Sequence, residues 1–149
     1  MTTIKDESEL TYKEKAREQY TKIGEVKCPA FNEKVVYNAK GFNHIFYKGS
    51  RSDRGFKDIQ TRVRLLDRSK ELLEKSGVVQ EESSYQGKHK GKAKEFKFWG
   101  LEGVINDRRI RVVVRQVGQG KKHFWSVIPA WRKTRFGKVK NCKNNLAKL

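Results

Sequence analysis

The residues most suited to chemistry lie on two β-strands predicted near the end of the chain. Arginines alternate with aliphatic residues between Arg109 and Val117, and successive side chains on a strand point to opposite faces. The three arginines therefore share one face with Val113, and Ile110, Val112 and Val114 face a core. After the turn Gly118–Gly120, a second strand adds lysines, a histidine and a serine to the same neighbourhood. The polar residues concerned are Arg109, Arg111, Arg115, Lys121, Lys122, His123 and Ser126.

Side chains of these types suit the cleavage of RNA without a metal. That reaction needs a base for the 2′-OH proton, an acid for the leaving 5′-oxygen, and cations for the charged phosphorus centre. Histidine titrates near working pH, and arginine binds two phosphate oxygens at once through its planar guanidinium. The predicted catalytic residues are His44, His123, Arg111, Arg115 and Ser126.

These assignments have structural alternatives. His44 lies in an aromatic segment and is equally well explained as a partly buried residue that fixes its turn. The arginines also suit a solvated strand face, although Asp107 is the only acid expected beside them, which favours phosphate. Regular alternation places Ser126 on the face opposite His123, so the site needs either a bulge or only one of the two. His89 is assigned to a polar loop.

The charge of the chain predicts a polyanionic partner. Its 35 Lys and Arg against 17 Asp and Glu give a net charge of +18, which is typical of nucleic-acid binding. No segment joins a long apolar face to a basic one, as a membrane-surface helix does, so RNA is expected and a membrane is not. The residues predicted to bind nucleic acid are Arg51, Arg54, Arg109, Lys121, Lys122, Trp131, Arg132, Lys133 and Arg135.

The cysteines favour neither a metal nor a disulfide framework. Cys28 and Cys142 are far apart in sequence and form no Cys-x-x-Cys pair, so no zinc site and no cofactor are predicted. The first residues lack the apolar region of a signal peptide, and no apolar run is long enough to span a membrane. We therefore expect a cytoplasmic protein with free thiols.

Hydrophobic spacing predicts an α+β fold, in which N-terminal helices precede a four-stranded antiparallel β-meander with the main helix packed on one face. The main helix is expected within residues 50–77, with Ser52 or Asp53 as its N-cap. A weaker helix covers 6–23, one short strand covers 34–37, and segment 40–49 is either a short helix or extended. The apolar stripe of the main helix consists of Phe56, Ile59, Val63, Leu66 and Leu73.

The connections between the four strands carry turn signals. Residues 86–92 are polar and glycine-rich and are predicted to form a mobile hairpin loop. Gly100 and Gly103 suggest a bulge in the next strand, and Asn106–Asp107 suits a two-residue hairpin turn. Basic residues follow from 132 to 149, and this tail is expected to order only on a partner.

Two helical elements followed by an antiparallel meander resemble the barnase–EndoU–colicin–RelE superfamily of small metal-independent ribonucleases, in particular its phage and mobile-element types. The resemblance rests on Gly41–Ile45, the strand Arg111–Arg115 and the segment Lys122–Val127. In such domains a glycine–histidine–isoleucine segment precedes the main helix, and the last strand often ends in an aromatic residue followed by Ser or Thr. The resemblance implies a nuclease domain within 25–131, flanked by an N-terminal helix or arm (1–24) and a basic tail (132–149).

The residues and the resemblance together predict an endoribonuclease of a toxin or mobile element that leaves a 2′,3′-cyclic phosphate. Its substrate would be tRNA or another structured RNA, and an acidic inhibitor protein is an expected partner. Two alternatives stay open. One is a non-catalytic RNA- or DNA-binding module of a mobile element, and the other is an accessory protein that joins a nucleic-acid machine through its basic tail.

Overall fold

The fold combines four helices with a β-sheet, which confirms the predicted α+β class. The computed structural model describes residues 4–47, 54–130 and 146–149. Within these ranges, no helix is both long and apolar enough to cross a membrane. The elements are α1 (Ile4–Ile23), β1 (Glu25–Cys28), β2 (Glu33–Val36), α2 (Ala39–Phe46), α3 (Phe56–Arg64), α4 (Leu66–Lys75), β3 (Glu81–His89), β4 (Lys92–Ile105), β5 (Arg108–Val117), β6 (His123–Pro129) and a short 3₁₀ turn (Leu146–Lys148).

The sheet is larger than the predicted four-stranded meander. Strands β3 to β6 are consecutive antiparallel neighbours, but within the described ranges the sheet has six strands, in the order β1-β2-β6-β5-β4-β3. The hairpin of β1 and β2 joins it through a parallel contact between Val36 and His123. This addition was missed because β1 is only four residues long and the parallel contact joins distant parts of the chain.

The predicted alternation along β5 is confirmed. Ile110, Val112 and Val114 are fully buried on the side of the sheet against which α4 packs, which we call the helix face. Ala16 and Tyr20 of α1 belong to the same core, so this helix is packed on the domain. The register places Arg109, Arg111, Val113 and Arg115 on the opposite side, which we call the arginine face.

The turns between strands differ from their predictions in two places. Asn106 and Asp107 both have positive φ angles, of 51° and 63°, which confirms the two-residue hairpin turn. The predicted loop 86–92 is wrong, because β3 continues to His89 and only Lys90 and Gly91 form the turn. The bulge lies between β5 and β6, beside Val113, and not at the predicted glycines of β4, which pair in regular register with β5.

The predicted main helix is divided in two. Helix α3 ends at Arg64, and α4 begins at Leu66, after a break at Leu65. The predicted capping residues Ser52 and Asp53 lie outside the described residues. Phe56, assigned to the core stripe, is 52% exposed, because it lies in the first turn of α3, where its ring contacts Tyr12 of α1.

Helix α2 packs against the edge of β6 that β2 leaves unpaired beyond His123. A Cβ atom on Gly41 would lie 2.2 Å from the Phe124 carbonyl oxygen and 2.5 Å from the Tyr20 hydroxyl. Only glycine permits this close approach, which brings α2 and its histidine, His44, onto the sheet.

We expect Gly41→Ala to destabilise the domain by about 1–3 kcal/mol, because backbone atoms must move to relieve the contact. Urea unfolding would measure the loss. Gly77→Ala is the matched control, since nothing lies within 4 Å of a Cβ atom there. Equal unfolding free energies for the two variants would contradict the packing of α2 described here.

Candidate active site

A β-bulge assembles the polar residues of β6 on the arginine face. Cross-strand partners share a face, and the register pairs Arg115 with His123 and Val113 with Ser126. Trp125 is the extra residue between these pairs. The bulge therefore resolves the conflict in the sequence pattern, because His123 and Ser126 lie on the same face.

Arg115 is the centre of the cluster. It is 8% exposed, its Cζ atom lies 3.9 Å from the centroid of the Trp125 ring, and its Nε donates to His123 Nε2 at 2.9 Å. Burial lowers its pKa to about 10. In the part of the chain that the structure describes, no carboxylate pairs with Arg115. A buried guanidinium without an acid is costly, and a bound anion would relieve that cost.

Helix α2 brings His44 to the same indole ring. The imidazole of His44 stacks on Trp125 with a centroid distance of 3.9 Å, and that of His123 lies 6.3 Å from it. Arg54 holds His44 from the other side, donating from Nη2 to His44 Nε2 at 3.0 Å and from Nε to the His44 carbonyl at 2.8 Å. The structure thus brings together the two histidines that the sequence proposed as a pair.

Helix α3 adds a third arginine, which the sequence analysis missed. Arg62 Nη1 donates to Ser126 Oγ at 2.6 Å, so this hydroxyl is already held by a cation. Asp58 is paired with both Arg62, at 3.0 Å, and Arg54, at 3.6 Å. Among the described residues, the buried guanidiniums of Arg54, Arg62 and Arg115 therefore share one carboxylate, and the cluster keeps an excess of positive charge.

Both histidines are neutral at physiological pH. Burial and the neighbouring arginines, led by Arg54, lower the pKa of His44 to about 3. Burial and Arg115 lower the pKa of His123 to about 4. Each Nε2 atom accepts a hydrogen bond from a guanidinium, so each ring carries its proton on Nδ1. Each ring is therefore neutral at working pH, but it can accept a proton at Nε2 only when the arginine releases that lone pair.

We expect these histidines to make the domain sensitive to acid. Unfolding restores their pKa to about 6.5, so below that pH the unfolded chain binds protons that the folded chain does not. The free energy of unfolding should fall between pH 6.5 and about 4, by up to about 1.4 kcal/mol per pH unit for each histidine. Urea unfolding at several pH values measures this slope, and the double variant His44→Gln/His123→Gln should flatten it. Equal stability at pH 7 and pH 5 in the unmodified chain would contradict the burial of both rings as neutral groups.

Lys40 and the β3–β4 hairpin form the rim of the site. The Nζ atom of Lys40, at the start of α2, lies 3.2 Å from His89 Nε2 at the end of β3. The pKa of Lys40 is lowered by burial and by Arg115 and Lys90. His89, assigned to a loop, therefore lies beside the cluster. Sequence reasoning missed Lys40 as well, although its place immediately before Gly41–His44 was a usable signal.

Arg109 and Arg111 of β5 are neutralised by acids. Arg111 pairs with Glu81 and, at 3.0 Å, with Glu102, and Arg109 pairs with Glu102 at 3.2 Å. The expectation that Asp107 is the only acid near this strand is wrong, because β3 and β4 supply these carboxylates across the sheet. Arg111 is therefore already occupied, unlike Arg115.

The remaining residues predicted to bind nucleic acid are dispersed. Lys122 contacts Glu33 and the ring of Trp99, which belongs to the core of the helix face. Lys121 is exposed just before β6, and Arg54 is buried against His44. The predicted residues Arg51, Trp131, Arg132, Lys133 and Arg135 lie outside the described residues.

The last residues of the predicted basic tail touch the site. Leu146 is buried against the arginine face with Phe98 and Val113, and Trp125 Nε1 donates to the Ala147 carbonyl at 3.0 Å. This hydrogen bond fixes the indole ring of Trp125, against which Arg115 and His44 pack.

Comparison with family models, curated proteins and solved structures gives no match to this chain. Within the described residues, no three His, Cys, Asp or Glu side chains are grouped as metal ligands. The functional interpretation therefore rests on the geometry of the arginine–histidine cluster.

Proposed function

We propose that this protein is an endoribonuclease that cleaves RNA by attack of the 2′-OH on the adjacent phosphate, without a metal. The observation that carries the proposal is Arg115, a buried guanidinium that contacts His123 and Trp125 and has no described carboxylate partner. Its pairing with a phosphodiester would supply the missing anion and bring the phosphate next to a neutral imidazole.

Phosphate binding would also activate His123. In this structure the Nε2 lone pair of His123 accepts a hydrogen bond from Arg115. When Arg115 turns to phosphate oxygens, that lone pair is released and can take the 2′-OH proton. The 2′-oxygen then bonds to phosphorus, the bond from phosphorus to the 5′-oxygen breaks, and a 2′,3′-cyclic phosphate remains.

The leaving 5′-oxygen needs a proton, and Lys40 is the group we assign to it. Its ammonium lies at the rim, 3.2 Å from His89 Nε2. Burial together with Arg115 and Lys90 lowers its pKa, which makes it a better acid than an ordinary lysine. His44 would then position the site through its stack on Trp125 and its bond to Arg54. This assignment differs from the histidine pair predicted from the sequence, in which one ring is the base and the other is the acid.

A non-catalytic RNA- or DNA-binding module is the second candidate, and one observation favours it. The Nε2 lone pairs of both His44 and His123 are engaged by arginines, so neither ring is free to accept a proton in the described state. In such a module the histidines would only orient guanidiniums toward phosphates.

Incubation with total RNA in excess EDTA separates the two candidates. The endoribonuclease should produce fragments ending in a 2′,3′-cyclic phosphate, and an oligonucleotide with 2′-deoxyribose at the cleavage position should stay intact. Tight binding of RNA without any cleavage would refute the endoribonuclease and favour the non-catalytic binding module.

The resemblance to the barnase–EndoU–colicin–RelE superfamily supports the same proposal and adds its setting. We extend it to a toxin or effector of a phage or mobile element that acts on tRNA or another structured RNA. An acidic inhibitor protein would complement the net charge of +18, because opposite charges across an interface favour association.

A further inference from the structure

A row of stacked side chains crosses the arginine face from the site to the edge of the sheet. Trp125 of β6 is followed by Arg115 of β5, Phe96 of β4 and Tyr85 of β3. The Arg115 Cζ atom lies 3.9 Å from the Trp125 centroid and 5.9 Å from the Phe96 centroid. The Phe96 and Tyr85 rings are parallel within 4°, with centroids 5.0 Å apart.

Tyr85 is the last residue of this row and is half exposed. Tyr85 lies at the edge of the sheet, because β3 is the last strand. The residue is 49% exposed. Its ring also lies nearly parallel to that of Phe98, with an interplanar angle of 13° and centroids 5.9 Å apart. A large aromatic ring held flat by its neighbours and half exposed at the edge of a sheet can offer its accessible part to a nucleobase for stacking.

The charges around Tyr85 suit a nucleic-acid backbone. The ring lies near Arg115, whose pKa it influences. His89, four residues further along β3, contacts Lys40 at 3.2 Å, and its pKa is also lowered by Lys90, Lys94 and Arg115. A strand whose phosphate lies on Arg115 would therefore pass through a basic environment on its way to the edge of the sheet.

We propose that Tyr85 is the stacking platform for an unpaired base next to the phosphate on Arg115, so that the substrate is single-stranded at the site of cleavage. A base inside a duplex is stacked on its neighbours and cannot present its face to Tyr85. The proposal rests on the proposed function for the phosphate on Arg115 and adds the structural class of RNA that the site accepts.

The test uses a short oligouridine that is 2′-O-methylated throughout, so that it cannot be cleaved, and that carries one 2-aminopurine. In EDTA, binding to the unmodified protein should quench the 2-aminopurine fluorescence. Tyr85→Ala should weaken binding by roughly 5- to 150-fold, the range for a lost base–aromatic stack, and should remove the quench. Tyr85→Phe should retain both, and Phe56→Ala, which removes an equally exposed ring on α3, should behave like the unmodified protein.

If Tyr85→Ala lowers the unfolding temperature, Tyr85→Leu replaces it in the same measurement. Leucine still covers Phe96 with apolar atoms but has no flat ring on which a base can stack. Equal affinity and equal quench for the unmodified protein and Tyr85→Leu would overturn the platform, as would equal affinity for the same sequence as a duplex. Cleavage of total RNA by the unmodified protein is read separately. A lost quench in Tyr85→Leu with no cleavage by the unmodified protein supports the platform and refutes the nuclease, whereas cleavage with an unchanged quench does the reverse.

Discussion

Arg115→Ala should slow RNA cleavage by roughly 100- to 1000-fold, the usual loss when one group that stabilises transition-state charge is removed. Arg115 is buried, contacts His123 and has no described carboxylate partner, so its charge is available to the phosphate as the phosphorus centre becomes more negative. Initial rates on a fluorogenic RNA oligonucleotide in excess EDTA measure this loss. Arg115→Lys should recover only part of the rate, because lysine cannot bind two phosphate oxygens in one plane.

Arg111→Ala is the matched control, since Arg111 lies on the same strand and the same face. Its guanidinium is engaged by Glu81 and Glu102, so its removal should lower stability, through the two partly buried carboxylates left behind, while cleavage by the folded fraction changes little. If Arg111→Ala lost as much cleavage activity as Arg115→Ala, the phosphate would have to bind at a different position along β5 from the one proposed here.

His123→Gln should lower kcat/KM by on the order of 100-fold at neutral pH, the scale for a lost general base. Glutamine can still accept the hydrogen bond from Arg115 but cannot take a proton, so the loss isolates proton transfer. His44→Gln should cost much less, because we assign His44 a positioning role. Equal losses for both variants would instead favour the histidine pair predicted from the sequence, with one ring as base and the other as acid.

The pH profile adds a second readout to the same experiment. A base must be neutral, and burial with Arg115 lowers the pKa of His123 to about 4. The unmodified protein should therefore keep its kcat/KM on going from about pH 7.5 to 5.5, where a histidine of ordinary pKa would lose about tenfold. A tenfold loss over that range, under conditions where circular dichroism shows a folded protein, would contradict the low pKa of the catalytic base.

Local patterns predicted the arginine strand correctly. Alternation of side chains follows from the geometry of a single strand, so Arg109 to Val117 could be divided into a core face and a polar face without knowledge of the neighbours. The turn at Asn106–Asp107 was equally accessible, because it depends on two adjacent residues that tolerate positive φ. The excess of basic residues needed no structure at all.

Long-range pairing decided which of these polar residues form a site. Glu81 lies 30 positions from Arg111, and Arg62 lies 64 positions from Ser126. No local signal reveals such partners. They distinguish the occupied Arg111 from the available Arg115, a difference that alternation along β5 cannot show.

The sequence by itself determined the strand faces, the hairpin turn at Asn106–Asp107 and the excess of positive charge, because each depends on neighbouring residues or on total composition. Only the tertiary structure decided that His123 and Ser126 share a face, that His44 stacks on Trp125 and that Arg115 lacks a described carboxylate partner. The bulge between β5 and β6 and the close packing of Gly41 on Phe124 produce this arrangement. Both are set by the register of strands and by the fit of α2 against the sheet, which depend on the free energy of the whole fold rather than on any local preference.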